Sequence, residues 1–171
     1  MRTHPDWLRR ILWSDCARGI TWVENRCREA SCMGVEAFID TNILLYAYDL
    51  DADTKREQAM RLLERAWRDP AKVAVSIQVL QEFHVNFLRT GNSMNEARLV
   101  MGDLCRFKVV DNTLELFGLG LALQERWQLS LWDAMILAAA QTSGARLLYS
   151  EDFSDGQKYG GVQAINPFKL H

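Results

Sequence analysis

Four acidic residues, Asp40, Glu82, Asp133 and Asp152, stand where strands end or helices begin in an alternating strand and helix pattern. Asp40 closes the apolar run Val35-Glu36-Ala37-Phe38-Ile39, and Asp152 lies just beyond Leu147-Leu148-Tyr149-Ser150. Both are therefore expected at the carboxyl ends of strands, the edge of an open α/β sheet where ligands collect. If Glu82 and Asp133 enter from neighbouring helices, four carboxylates converge. The repulsion among so many like charges is most readily relieved by Mg²⁺ or Mn²⁺, hard cations that prefer oxygen ligands. The chemistry expected of such a site is that of a metal-dependent enzyme.

The elements that must position these acids follow from periodicity and punctuation. Val35 to Ile39 reads as a buried strand, and Thr41 to Tyr48 as an apolar helix entered through small polar residues. Thr54 and Glu57 fit a capping box, ahead of Ala59, Leu62, Leu63, Ala66 and Trp67 at helical spacing; Asp69-Pro70 ends that helix. Val73 to Ser76 is the second strand. Helices are expected from about Ile77 to Arg89 and from Ser93 or Met94 to Cys105, then a strand from Phe107 to Val110. Asn112 or Thr113 caps a helix reaching Trp127, and Ser130 opens one ending near Gly144. Arg146 to Tyr149 is the fourth strand, and Gly160 to Phe168 reads as a turn and a short last strand stopped by proline. Strands separated by helices imply an α/β fold, a parallel sheet covered on both faces.

Each acid also has an ordinary structural role. Asp40 is placed to cap the following helix, although Thr41 or Asn42 could do so and leave Asp40 facing the cleft. Glu82 could be a solvated helix residue, but Gln78, Glu82, Asn86 and Arg89 form a narrow polar strip suited to one wall of a wet pocket. Ser130-Leu131-Trp132-Asp133 matches a capping box; yet the helix it opens is apolar around its circumference, so a carboxylate in its first turn must meet a partner or an ion. Glu151 and Asp155 flank Asp152 in a loop where turn-forming acids are common, and the ordinary role is favoured for both. His84, two residues from Glu82, lies on another helix face and reads as structural.

Length and charge restrict the class further. The 171 residues, 49% hydrophobic and 25% charged, suit one globular domain with a proper core. A formal charge of −2 argues against a protein that coats nucleic acid through a broad basic face, without excluding RNA as a substrate. Cys16, Cys27, Cys32 and Cys105 lack CxxC spacing, and His4, His84 and His171 are too scattered for a zinc site. Free thiols, no membrane-length apolar stretch and no signal-peptide core point to a cytoplasmic protein. Residues 1–32 differ from the rest: they hold three of the four cysteines, three of the six tryptophans, six arginines and no lysine. A short amphipathic helix over residues 7 to 13 is conceivable there. The break at Met33-Gly34 divides an N-terminal extension, residues 1–32, from a working domain, residues 33–171, expected to start at Met33; intact-mass analysis of the native gene product tests this.

The motifs Phe38-Ile39-Asp40-Thr41-Asn42, Gln81-Glu82-Phe83, Leu131-Trp132-Asp133-Ala134-Met135-Ile136 and Ser150-Glu151-Asp152-Phe153, with Gly156-Gln157 and Asn166-Pro167-Phe168, resemble in order and spacing a PIN-domain protein of the VapC toxin type. The resemblance covers residues 35 to 168. It implies a three-layer α/β/α sandwich around a central parallel sheet, with Asp40, Glu82, Asp133 and Asp152 matching the family's acidic quartet as catalytic and metal-binding residues. It also implies Mg²⁺- or Mn²⁺-dependent endoribonuclease activity on RNA, a small antitoxin partner that blocks the site, and a homodimer.

The mechanism expected is phosphodiester hydrolysis by a metal-activated water, with Asp40, Asp133 and Asp152 holding one or two ions and Glu82 a ligand or water-orienting base. Arg89, Arg98, Lys108 and Lys158 are the basic candidates for an RNA-binding rim. Two other readings compete. Asp40-Thr41-Asn42 resembles the start of an aspartyl-phosphate phosphotransferase site, but Asn42 replaces the usual second acid and only Lys158 offers a lysine. A non-catalytic binding module that keeps the fold is the other. Helix surfaces around Leu44, Tyr48, Leu63 and Trp67 are either interface or core.

Overall fold

Short runs of buried aliphatic and aromatic residues make the strands, and Ser, Thr and Asp residues start most of the helices between them. The computed structural model describes residues 34–49 and 53–169; the expectations for residues 1–32 lie outside the described residues. In chain order the elements are β1 (Ala37–Ile39), α1 (Thr41–Tyr48), α2 (Asp53–Arg68), a 3-10 turn (Pro70–Lys72), β2 (Val73–Ser76), α3 (Ile77–Arg89) and α4 (Met94–Leu104). There follow β3 (Lys108–Val110), α5 (Leu114–Trp127), α6 (Leu131–Ser143), β4 (Leu147–Tyr149), β5 (Lys158–Tyr159) and β6 (Val162–Ile165).

Side-chain caps fix where the helices begin. Ser76, Thr113 and Ser130 accept the N–H of Val79, Leu116 and Asp133 at 3.2, 3.1 and 3.1 Å, and Ser93 with Glu96 forms a complete capping box. Each cap contributes about 1 kcal/mol. Gly144 ends α6 at φ 82°, a left-handed turn that a side chain would strain. One expected box does not form. Helix α2 starts at Asp53, which puts Thr54 inside its first turn, and the Glu57 carboxylate instead accepts from Arg61 at 2.6 Å, one turn on.

The sheet order is β3-β2-β1-β4-β6-β5. All neighbouring pairs are parallel except the edge pair, where β5 returns antiparallel to β6. The layered α/β architecture and parallel central sheet are as expected, with one antiparallel edge strand added by the hairpin through Gly160. The chain leaves β1 toward β2 and β3 on one side, then crosses to β4 on the other. That reversal opens a crevice between the carboxyl ends of β1 and β4. Helix α6 lies against β1, β2, β3, β4 and β6, with α5 packed over it, and α1, α2 and α3 pack together as a second helical group.

Phe38, Ile39, Ile43, Leu44, Leu63, Phe83 and Phe87 are fully buried or nearly so, each such side chain contributing roughly 1.5–3 kcal/mol. Tyr48 meets Phe83 and Phe87 edge-on, both at 5.5 Å, and Trp67 stacks on Phe107 at 4.3 Å. Leu44 and Leu63 are therefore core, with Tyr48 and Trp67 half-buried against it. Among the described residues, no helix is long and apolar enough to cross a membrane, and Cys105 is a free thiol.

Candidate active site

Asp40 stands at the first position past β1, and its backbone N–H still pairs with Tyr149 O at 3.1 Å. That bond fixes the carboxylate at the mouth of the crevice. Its Oδ1 accepts the Thr41 N–H at 2.7 Å and its Oδ2 accepts the Ser150 hydroxyl at 2.7 Å. Asp40 has extended dihedrals and is itself the N-cap of α1, so Thr41 and Asn42 do not take that role. They are the first helical residues, and their side chains reach outward to other acids. The Thr41 hydroxyl donates to Glu82 Oε2 at 2.9 Å, and Asn42 Nδ2 donates to Asp152 Oδ2 at 2.6 Å.

The polar strip on α3 forms as its spacing predicts. Gln78, 6% exposed, donates through Nε2 to Glu82 Oε1 at 3.0 Å and to Trp132 O at 3.3 Å. It thereby joins the helix carrying Glu82 to the first turn of α6, where Asp133 sits. Asn42, Tyr46, Asn86 and Arg89 line a cavity of about 320 Å³ beside this strip. Asp133 accepts the Ser130 hydroxyl at 2.7 Å while donating its own N–H to Ser130 Oγ. Only the Ser130 half of the expected capping box forms, since the Asp133 carboxylate takes the Ser130 hydroxyl and not its N–H, and the carboxylate is not sealed in apolar surroundings: α6 is buried at Ala134 and from Ile136 to Ala140, but Trp132 in its first turn is 66% exposed. Asp152 is exposed, with its N–H on Ser150 Oγ at 3.2 Å.

The structure thus brings all four acids to one edge of the sheet, and they feel one another. Burial pushes the Asp40 carboxyl up to about 7, with the charges of Asp152 and Glu82 acting in the same direction, against the Ser150 and Thr41 hydrogen bonds. Asp152 is also raised, by the partial desolvation of its carboxylate and then by Asp133 and Glu151, while Asn42 and Lys55 oppose the shift. Among the described residues, no three His, Cys, Asp or Glu side chains are gathered as an ion-binding group; each carboxylate is turned to a neutral donor instead. The donor set nevertheless fits a hard divalent cation: every ligating atom on offer is oxygen, and Asp40 carries repulsion from two neighbouring acids.

Thr41, Asn42, Gln78 and Ser150 are the site residues that sequence reasoning passed over as donors. The run Asp40-Thr41-Asn42 signalled two of them, and the polar strip on α3 signalled Gln78. Glu151 pairs with Lys55 at 2.6 Å, and Asp155 Oδ1 accepts the Asn166 N–H at 2.8 Å. Two rim candidates are misplaced. Lys108 donates to Ser143 O at 3.0 Å, at the far end of α6. Lys158 is level with Gln163, which pairs with Leu147 at the start of β4. Both lie toward the amino edge because strand direction, invisible in composition, sends them there. Lys158 is thereby removed from Asp40, which withdraws the lysine a phosphotransferase reading needs. Arg98 is exposed on α4, and Arg89 is the candidate beside the crevice.

The four acids lie at the switch point of a mostly parallel sheet, where α/β domains place their ligand sites. The PIN-domain family model matches residues 37–154, and the chain belongs to that family. Its fold is similar to a toxin-antitoxin complex from Klebsiella pneumoniae, at 25% identity and TM-score 0.61, covering 79% of this chain and 100% of that one. It is also similar to VapC20 of Mycobacterium tuberculosis, a sarcin-ricin loop cleaving toxin, at 21% identity and TM-score 0.54, covering 68% and 90%. DNA-bound VapBC from Salmonella typhimurium matches at 20% identity and TM-score 0.52, covering 76% and 96%. No curated protein sequence matches the chain significantly.

Proposed function

We propose that this protein is a Mg²⁺- or Mn²⁺-dependent endoribonuclease and the toxin of a toxin–antitoxin pair, acting in the cytoplasm. The observation that carries the reading is the buried Asp40 carboxylate at the switch point, raised by burial and by the charges of Asp152 and Glu82. Family membership and the likeness to VapC-type toxins support it.

Asp40, Asp133 and Asp152 would hold the ion, with Glu82 as a further ligand or as the base that orients water. A bound divalent ion supplies an acidified water and neutralises charge developing on the phosphate. The chain's own residues do the rest. Ser150 and the Thr41 N–H fix Asp40, Thr41 and Gln78 hold both oxygens of Glu82, and Asn42 steadies Asp152. Arg89, beside Asn42, offers a cation to the phosphate backbone. Purified protein should cut total RNA with Mg²⁺ or Mn²⁺ and not with EDTA, and a co-expressed antitoxin should suppress the cut. Cleavage indifferent to EDTA would remove the metal from the proposal.

Homodimerisation needs an exposed apolar surface, which the buried Leu44 does not offer. Leu114, Phe117 and Leu121 are exposed at 80%, 42% and 44% and recur at helical spacing on α5. This apolar stripe is the proposed dimer face. Phe117→Asp should shift the sedimentation coefficient from dimer to monomer; an unchanged dimer would place the interface elsewhere.

A further inference from the structure

Lys55 touches none of the four acids, yet it sits at the centre of a cluster tied to the loop that carries Asp152. Its Nζ donates to Glu151 Oε2 at 2.6 Å and to the Tyr46 hydroxyl at 3.0 Å, and the Tyr46 hydroxyl donates to Glu151 Oε1 at 2.6 Å. The ammonium also lies over two rings, 4.5 Å from the centroid of Tyr46 and 5.4 Å from that of Phe168, which meet edge-on at 5.2 Å. Five contacts thus join α1, α2, the loop after β4 and the C-terminal segment.

The cluster is placed to act on the site through both neighbours of the Asn42–Asp152 bond. Tyr46 lies one helical turn after Asn42 on α1, and Glu151 immediately precedes Asp152. The loop is pinned again at each side: Ser150 is bonded to Asp40, and Asp155 holds the Asn166 N–H. Phe153 is buried against Tyr159. Glu151 is an anchor of the loop that depends on a charged partner. With Lys55 removed, Glu151 keeps only the Tyr46 hydroxyl, and its uncompensated charge stands next to Asp152. That charge would oppose the one on Asp152 and loosen the hold of Glu151 on α1.

We infer that Lys55 is a positioning residue which, through Glu151 and Tyr46, holds Asp152 at the metal-binding edge of the sheet. This rests on the metal-nuclease reading of the site, and the experiment separates the two. Mn²⁺ binding without RNA is measured by calorimetry, and amide hydrogen exchange across residues 150–155 by mass spectrometry, for wild type, Lys55→Met, Lys55→Arg, Tyr46→Phe and Lys72→Met. Lys72 pairs with Glu36 at 3.0 Å at the opposite edge of the sheet, so its loss reports on ion-pair removal without the loop. Expected for Lys55→Met are Mn²⁺ affinity lower by about tenfold to a hundredfold, the range for residues that orient metal ligands, and faster exchange in the loop. Tyr46→Phe should lose part of both, Lys55→Arg should keep both, and Lys72→Met should leave both unchanged. Wild-type affinity and loop protection in Lys55→Met would overturn the inference and leave the nuclease reading standing. A wild type that binds no Mn²⁺ would overturn both.

Discussion

Replacing Asp40 with Asn is expected to reduce RNA cleavage by at least about a hundredfold to a thousandfold, as loss of a group that stabilises transition-state charge through the metal does, while the fold is kept or strengthened. The reason for the second half lies in the surroundings of the side chain. Asn retains an oxygen for the Thr41 N–H, and its amide N–H can donate to Ser150 Oγ, whose hydroxyl rotates to accept. What is lost is a buried negative charge facing Asp152 and Glu82. Cleavage assays on matched preparations, with a melting curve for each, decide the matter. Undiminished cleavage would show the activity to be foreign to this site, and a marked fall in melting temperature would mean that Asp40 is a structural cap first.

Stability of the metal-free protein is expected to fall as pH rises from about 4 to about 7. The ordinary carboxyl value for Asp40 is 3.8 and the folded value is about 7. Below 3.8 the group is protonated in both folded and unfolded chains. Between the two values the folded state binds the extra proton, so each pH unit removes roughly 1.4 kcal/mol, up to about 4 kcal/mol in all. Above 7 the dependence on this group is flat. Asp103, half-buried with one oxygen lacking a hydrogen bond and raised to about 6 by burial, adds to the same slope. Asp40→Asn isolates the larger contribution by flattening the curve. Divalent metal acts in the opposite sense, because it competes with the proton for the same oxygens. Melting curves in EDTA and in Mn²⁺ at pH 5 and pH 8 should therefore show the larger metal-induced rise at pH 8. A metal effect independent of pH, or an Asp40→Asn slope equal to wild type, would count against a shared carboxylate site.

Elements with strong local signals were legible in the sequence nearly to the residue. The helix expected from Thr41 to Tyr48 and the strand from Val73 to Ser76 match α1 and β2, and the helix from about Ile77 to Arg89 matches α3. Their apolar period and capping residues act within one or two turns of chain. The Thr54–Glu57 box failed because the helix starts at Asp53, which leaves Thr54 in helical conformation and not at the cap. The antiparallel return of β5 was missed because two residues carry too short a period to read.

The sequence by itself determined the alternation of strand and helix, the four acids at strand and helix ends, and the family motif. All of these are local patterns, set by side-chain periodicity and by backbone groups that need caps. Tertiary structure decided which neutral donors hold those acids. Asn42 meets Asp152 and Ser150 meets Asp40 across 110 positions of chain, and Thr41 meets Glu82 across 41. It also sent Lys108 and Lys158 toward the amino edge, buried Trp67 against Phe107, and brought Lys55 to Glu151 across 96 positions. Such pairings depend on strand order and direction. No local spacing encodes them, because they exist only once the strands lie side by side in this order and the helices pack over them.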